Sequence, residues 1–435
     1  MRSSRRPGSE MADHTFVGFG FGPIQSGLFA KEAFQSGRFT RIVVAEIDPA
    51  LVRAVRVNGG TYHVNVARAD RIETQRIDNV ELLDPTDSKD NRTLRGALVQ
   101  ATEICTCLPS ANFYTPGQAN SVAALIADGL ARRGQGPTIV YAAENNNHAA
   151  EILRDAVAAH LSGPLPSRVQ FLNTVIGKMS RVVNDPAEIA ALNLTPIAPG
   201  IDRAFLVEEF NRILVSKTTI AGFAPGIQVF VEKDDLLPFE EAKLYGHNAI
   251  HALLGFIGAL KGYTRMTDLA GDKPLMHVAR EAFVRESGGA LIRKYASLGD
   301  ELFTEAGYRH YADDLLERMT NPYLADTTAR AARDLLRKLG ANDRIFGTMV
   351  LALEQGIEPP NMATGALAGI ALLLANAMEY GLPKELESLN WQSLRAEDAV
   401  QLLTWLWRAP IPAAADSIID CTCAAGRPLV DLLAP

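Results

Sequence analysis

Cysteine is scarce in this chain: four thiols among 435 residues, set as two close pairs, Cys105/Cys107 and Cys421/Cys423. A four-thiolate zinc site normally wants two residues inside each pair, so this spacing argues against one, and no metal is expected. On a strand, a two-residue step turns Cys105 and Cys107 to one face, which suits small buried hydrophobes in a reducing compartment. Basic charge is also lacking. The net charge is −7, and no basic run is interleaved with aromatics, so no nucleic-acid surface is expected. The one basic cluster, Arg2 to Arg6, is not followed by the apolar run of a signal peptide. Met11 offers an alternative start, and residues 1–13 are expected to be a disordered tail. Long apolar runs are missing too. The longest without charge, Ala366–Met378, is too short to span a bilayer and reads as a buried helix. No membrane partner and a cytoplasmic location are expected.

What is present fills two domains, the default for this length. His14–Phe19 is a short apolar strand running into Gly20-Phe-Gly22-Pro-Ile24, and a helical pattern follows from Leu28 to about Ser36. Gly20 and Gly22 supply the tight turn and close backbone approach that a pyrophosphate needs, with a helix N-terminus behind them. The third fingerprint glycine is replaced by Gln25, so the motif alone is weak, since many glycine turns bind nothing. A second apolar strand, Arg41–Ala45, ends in Glu46, 26 residues after Gly20. That is near the spacing of a carboxylate accepting ribose hydroxyls, and no arginine follows to offset a ribose phosphate, which favours NAD over NADP. The competing reading of Glu46 is a helix cap, a job Asp48-Pro49 suits better. Further strands read at Glu103–Cys107 and Thr138–Ala143, separated by a helix around Gly117–Arg133. The alternation predicts a doubly wound, Rossmann-type parallel sheet over residues 14–202. Asn145 lies just past the last of these strands, where ligands bind; its bland reading, stronger for Asn146 and Asn147, is turn chemistry.

Beyond Pro196, Pro199 and Gly200 the texture turns helical, so residues 203–435 are expected to form a mostly α-helical substrate domain. Candidate helices are Arg203–Ser216, Leu237–Gly262, Lys273–Tyr295, Tyr308–Met319, Asp326–Leu339, Ile345–Gln355 and Asn361–Tyr380. A small antiparallel hairpin is expected near Gly226–Glu232. Asp234 and Asp235 before Pro238, with Glu240 and Glu241 in the first turn, give the second helix a strong start. That helix carries Lys243, Asn248 and His251. At about 100° per residue they share an arc of about 140°. A buried helix has little reason to gather these residues, whereas an alcohol dehydrogenase needs a proton acceptor and donors to a developing alkoxide. Singly, Lys243 would read as a surface residue and His251 as a core histidine. His247 lies on nearly the same face, as a candidate pocket wall. Arg337, Lys338 and Arg344 are candidate phosphate ligands, or equally a salt-bridged helix end with Asp334 and Asp343.

With these residues the chain resembles the long-chain polyol (mannitol) dehydrogenase family, most of all its branch acting on mannitol 1-phosphate. The likeness rests on the Lys243–Asn248–His251 spacing and on Asp235-Leu-Leu-Pro-Phe-Glu240. Asn321-Pro-Tyr-Leu324, Leu336–Leu339 and Asn342–Arg344 add to it, with looser matches at Phe19–Ile24 and Ala143–Asn145. It runs from about Thr15 to Tyr380. The resemblance implies metal-independent hydride transfer between NAD and a secondary alcohol carbon of a sugar alcohol. Lys243 would be the general base, Asn145 and Asn248 would hold the alkoxide, and His251 would orient a substrate hydroxyl. Gly20, Gly22, Ile24 and Glu46 would contact the cofactor. Gln25, Ser26, His247 and the long segment after Tyr380, with Trp391, Trp405 and Trp407, depart from the pattern. A reductase of an unphosphorylated ketose or a uronate, and a non-catalytic dinucleotide-binding protein, remain as alternatives. A monomer or homodimer acting on a small polyol or sugar is expected.

Overall fold

The computed structural model describes residues 14–115, 120–134, 136–146, 148–408 and 414–434. The tail expected over 1–13, Asn147 and residues 410–413 lie outside these. The chain forms two compact units, Met1–Leu236 and Leu237–Pro435.

The first unit grows from short runs of apolar residues. They form β1 (His14–Phe19), β2 (Phe39–Ala45), β3 (Tyr62–Ala67), β4 (Ile72–Ile77), β5 (Val80–Leu83) and β6 (Glu103–Thr106). Then come β7 (Thr138–Ala142), β8 (Val169–Ile176), β9 (Ser180–Val183), β10 (Ala204–Glu208), β11 (Ile213–Ser216) and β12 (Phe230–Lys233). Eight strands make the main sheet in the order β12-β11-β8-β7-β6-β1-β2-β5. From β8 to β5 every pairing is parallel. Its strands bury both faces: Phe16, Val44, Cys105 and Tyr141 pack into one layer, Val17, Val43, Ile104 and Val140 into the other. That is the signature of a parallel sheet covered by crossover helices. Strand order reverses between β1 and β6, so the crevice at the carboxyl ends of these strands is where a doubly wound sheet takes its ligand.

Two expectations fail in the stretch from 203 to 236. Arg203–Ser216 is not a helix. It is β10 and β11, and β10 lies fully buried between β3 and β9 in a separate four-stranded sheet. A short, wholly apolar run carries no periodicity to separate helix from strand. No antiparallel hairpin forms at 226–232 either, because β12 pairs parallel to β11. The Gly226 amide donates to the buried Glu103 carboxylate at 2.6 Å, fastening the chain ahead of β12 to the main sheet. The first unit therefore runs on to Leu236, past the boundary expected at 202.

The second unit is helical among the described residues. It opens with α1 (Leu237–Glu241), which continues through a π-turn, Ala242–Asn248, into α2 (Ala249–Leu260). A second helix repeats this build, as Lys273–Glu281, a π-turn at Ala282–Gly288, then Gly289–Tyr295. Gly246 lets the two approach: a Cβ there would meet the Tyr308 hydroxyl at 2.7 Å and the Phe283 ring at 2.8 Å. The buried Glu286 carboxylate accepts the amides of Asn361 and Met362, both at 2.8 Å, and so satisfies the start of the apolar helix Pro360–Ala375. The expected helix Asp326–Leu339 is interrupted. Thr328–Ala332 and Leu335–Lys338 are separate turns, because Asp334 takes a left-handed conformation at φ 61°. No helix among the described residues is long and apolar enough to cross a membrane.

Candidate active site

In the first unit, β1 ends at Gly20, whose φ is +80° and whose missing Cβ would sit 2.7 Å from the Cys107 carbonyl. Only glycine meets both demands. Gly22 has nothing within 4 Å of its would-be Cβ, so the backbone there is open to a close approach. Ser26 closes the turn, its hydroxyl donating to the Gly22 carbonyl at 2.9 Å. Gln25 stands in the room that Gly18 leaves; its amide is fully buried, without a hydrogen-bond partner among the described residues. The helix begins with a π-turn, Gln25–Phe29, where a third glycine would have packed tightly. Ile24 is half-buried against the core of this unit.

Glu46 is not the cap of the next helix. Asp48 fills that role, accepting from the Ala50 and Leu51 amides. The Glu46 carboxylate instead accepts the Phe21 amide at 2.8 Å on one oxygen and the Ile47 and Asp48 amides at 2.8 and 2.9 Å on the other. Three of about four acceptor sites are thus used locally, leaving capacity for one more donor. At the end of β7, Glu144 is buried and accepts from the Thr106 hydroxyl at 2.9 Å, the Leu108 amide at 2.8 Å and the Tyr114 hydroxyl. Burial raises its pKa, and these bonds oppose the shift. Asn145 follows directly and is exposed. Asn146 is occupied with turn chemistry, its side-chain oxygen accepting the His148 amide at 2.8 Å. Cys105 and Cys107 do share a face, their sulfurs 3.6 Å apart. Among the described residues no group of three or more His, Cys, Asp or Glu is placed to hold a metal ion.

In the second unit the π-turn reshapes the expected arc. A π-turn closes i→i+5, so Lys243 and Asn248 fall one turn apart on one face. The wider turn absorbs about one residue, or about 100°, and brings His251 from about 80° off to about 20° from the Lys243 direction. Loss of hydration lowers the Lys243 pKa from 10.5 to about 8; the Arg344 guanidinium pushes the same way and Glu240 opposes. His247 is buried and held well below its usual pKa by burial and then by the cations Arg318, Lys243 and Arg344 and by His251. Asn248 is half-buried, and its amide has no partner among the described residues.

His251 has a partner that the sequence did not suggest. Its Nε2 lies 2.9 Å from Oδ2 of the buried Asp326. Arg330 grips the same carboxylate through Nε at 2.6 Å and Nη2 at 3.0 Å, and the Thr327 amide donates to Oδ1 at 2.8 Å. Burial pushes the Asp326 carboxyl up, but the His251 and Arg330 hydrogen bonds outweigh it and hold it far below the ordinary range. The Asp326 carbonyl accepts the Met266 amide at 2.9 Å, which pins its backbone. An acid with an arginine four residues on was the available signal.

The three basic candidates separate. Arg337 is exposed and reaches back to Asp334 at 3.3 Å, the salt-bridged helix end that was the competing reading. Arg344 is buried and uses Nε on Asp343 at 2.7 Å; its two terminal nitrogens have no partner among the described residues. Lys338 is buried and donates to the Ala331 carbonyl at 2.5 Å. Burial, then Arg344, bring its pKa from 10.5 to about 7. Lys243 and Lys338 thus gather around Arg344 as a cluster of basic side chains within one unit, with the neutral His247 beside them.

Residues 235–402 match the mannitol dehydrogenase C-terminal domain. In fold the chain is similar to D-sorbitol dehydrogenase in substrate-free form, at a TM-score of 0.75 and 18% identity over 97% of this chain and 95% of that one. It is also similar to Pseudomonas fluorescens mannitol 2-dehydrogenase, solved in ternary complex with NAD and D-mannitol. There the TM-score is 0.67 and the identity 17%, over 98% of this chain and 95% of the other. At such identities the likeness is one of fold.

Proposed function

We propose that the protein is an NAD-dependent polyol dehydrogenase, a reading supported by the match of residues 235–402 to the mannitol dehydrogenase C-terminal domain. The observation that carries the reading is Lys243, its pKa lowered to about 8 on a π-turn that aligns Asn248 and His251 with it.

The first unit suits a dinucleotide: Gly20 supplies the turn, Gly22 the open backbone and Glu46 one remaining acceptor site for a ribose hydroxyl. The chemistry that bound NAD would supply is acceptance of the hydride from the alcohol carbon. The rest falls to side chains of the protein. Lys243, as the neutral amine, takes the hydroxyl proton through Nζ. Asn248 donates to the oxygen as negative charge grows, a donor that contributes about 3–4 kcal/mol at the transition state. His251 holds a neighbouring hydroxyl. The proton acceptor is an amine, so the scheme needs no metal-bound water.

The substrate carries an anion, most readily a phosphate on a polyol such as mannitol 1-phosphate. A buried arginine with both terminal nitrogens unpartnered, beside a buried lysine, suits a doubly charged oxyanion. The carboxylate of a uronate fits the same fork and is the second reading.

The test is NADH oxidation with fructose 6-phosphate, fructose and a uronate side by side. Turnover of the phosphorylated sugar alone is the expected result, and turnover of the uronate alone selects the second reading. Comparable turnover of fructose removes the anion from the account. Tight NADH binding with no turnover on a broad polyol and ketose panel would overturn the dehydrogenase reading in favour of a non-catalytic dinucleotide-binding protein.

A further inference from the structure

We infer that Asp326 is a positioning residue: it fixes His251 as the tautomer protonated on Nε2, so that Nδ1 is left as the acceptor for a substrate hydroxyl. The role given to Nδ1 rests on the dehydrogenase reading; the tautomer does not.

Asp326 is 5% exposed and meets donors on both oxygens, from the Thr327 amide and two nitrogens of Arg330. An ionised carboxylate can only accept. The hydrogen on the 2.9 Å line between Oδ2 and Nε2 therefore belongs to the imidazole. A second proton on the ring would face the cations Arg330 and Lys338, both from the segment 328–338. On its own helix the ring faces His247, itself held neutral by burial. Against the two cations stands one carboxylate, already gripped by Arg330. The ring is accordingly neutral, with its lone pair on Nδ1, which has no partner among the described residues.

This geometry has a consequence for binding. A hydroxyl that donates to Nδ1 has the direction of its hydrogen set, and its oxygen lone pairs remain available to other donors. In Asp326→Asn, Arg330 and the Thr327 amide still claim the side-chain oxygen, so the amide NH₂ turns toward Nε2. Nε2 must then accept, and the proton moves to Nδ1. The pocket would present a donor where it had presented an acceptor.

The experiment is nitrogen-15 NMR of the full-length protein labelled at histidine, with His251 identified as the signal lost in His251→Gln. The expected result for the unsubstituted protein at pH 7–8 is a neutral ring protonated on Nε2. Asp326→Asn should invert that signature and raise KM for the sugar about 10–100-fold, the loss of one hydrogen bond to an oriented group. NADH affinity should stay within about twofold, since the cofactor residues lie on the other unit, and Asp326→Glu should recover part of KM and the original tautomer. A ring protonated on Nδ1, or on both nitrogens, in the unsubstituted protein overturns the proposal even if Asp326→Asn fails to fold. So does an Asp326→Asn protein with unchanged tautomer and KM. If the unsubstituted protein turns over no polyol or ketose, the dehydrogenase reading fails separately while the spectrum still decides the tautomer.

Discussion

The Phe21 amide donates to Oε2 of Glu46 at 2.8 Å, so the carboxylate at the end of β2 clips the glycine turn that leaves β1. A residue expected to read the ribose also holds the turn that would meet the pyrophosphate. Glu46→Ala should therefore weaken NADH about tenfold or more and NADPH less, one charge-assisted hydrogen bond being lost in the first case only. Glu46→Gln keeps one carbonyl acceptor for the turn and should lie between. Fluorescence titration with both nucleotides measures this. Equal losses would leave Glu46 with the clip alone.

Lys243 titrates at about 8, and only its neutral form accepts a proton. In the direction of alcohol oxidation, kcat/KM should rise with pH and level off above about 8. Ketose reduction needs the protonated amine and should fall over the same range. Because the Arg344 cation helps to lower this pKa, Arg344→Met should move the inflection to higher pH. A pH–rate profile unchanged by that substitution would separate Arg344 from the base.

The parts of this architecture that were legible in the sequence are those written locally. The glycine turn, the apolar strands on either side of it and the Lys243–Asn248–His251 spacing each lie within a few residues, and the parallel sheet and the helical unit followed from them. The π-turn left no trace, since an i→i+5 turn gives no distinct apolar period. Asp326 was hidden because its partner His251 lies 75 residues away. Arg337 and Lys338 read alike as neighbours, but one step of about 100° sends the first to solvent and the second inward. β10 and β11 were lost to the ambiguity of short apolar runs.

Among the described residues Lys338 uses a single carbonyl for its three donors. Lys338→Met keeps the length and removes the charge. For a phosphorylated sugar, KM should rise about 10–100-fold with kcat little changed, because the contact is made equally in ground and transition states. For an unphosphorylated one the change should be small. Matching effects on both would place Lys338 in the scaffold and not on the substrate.

The C-terminal helices brace the same segment. The buried Trp407 indole donates to the Leu339 carbonyl at 3.1 Å, one residue past Lys338, and its ring packs edge-on against Phe346 at 5.3 Å. Trp407→Phe keeps the packing and strands that carbonyl, so it should cost about 1–3 kcal/mol of stability. Denaturant unfolding gives the value. No loss would mean that the carbonyl finds another donor.

The most direct measurement is NADH-dependent turnover and NADH affinity of Lys243→Ala beside the unsubstituted protein, on whichever sugar the panel selects. Removal of a general base should lower kcat at least about 10²–10⁴-fold, with NADH affinity held within about twofold. Turnover at a comparable rate would place the proton acceptor elsewhere and contradict the account.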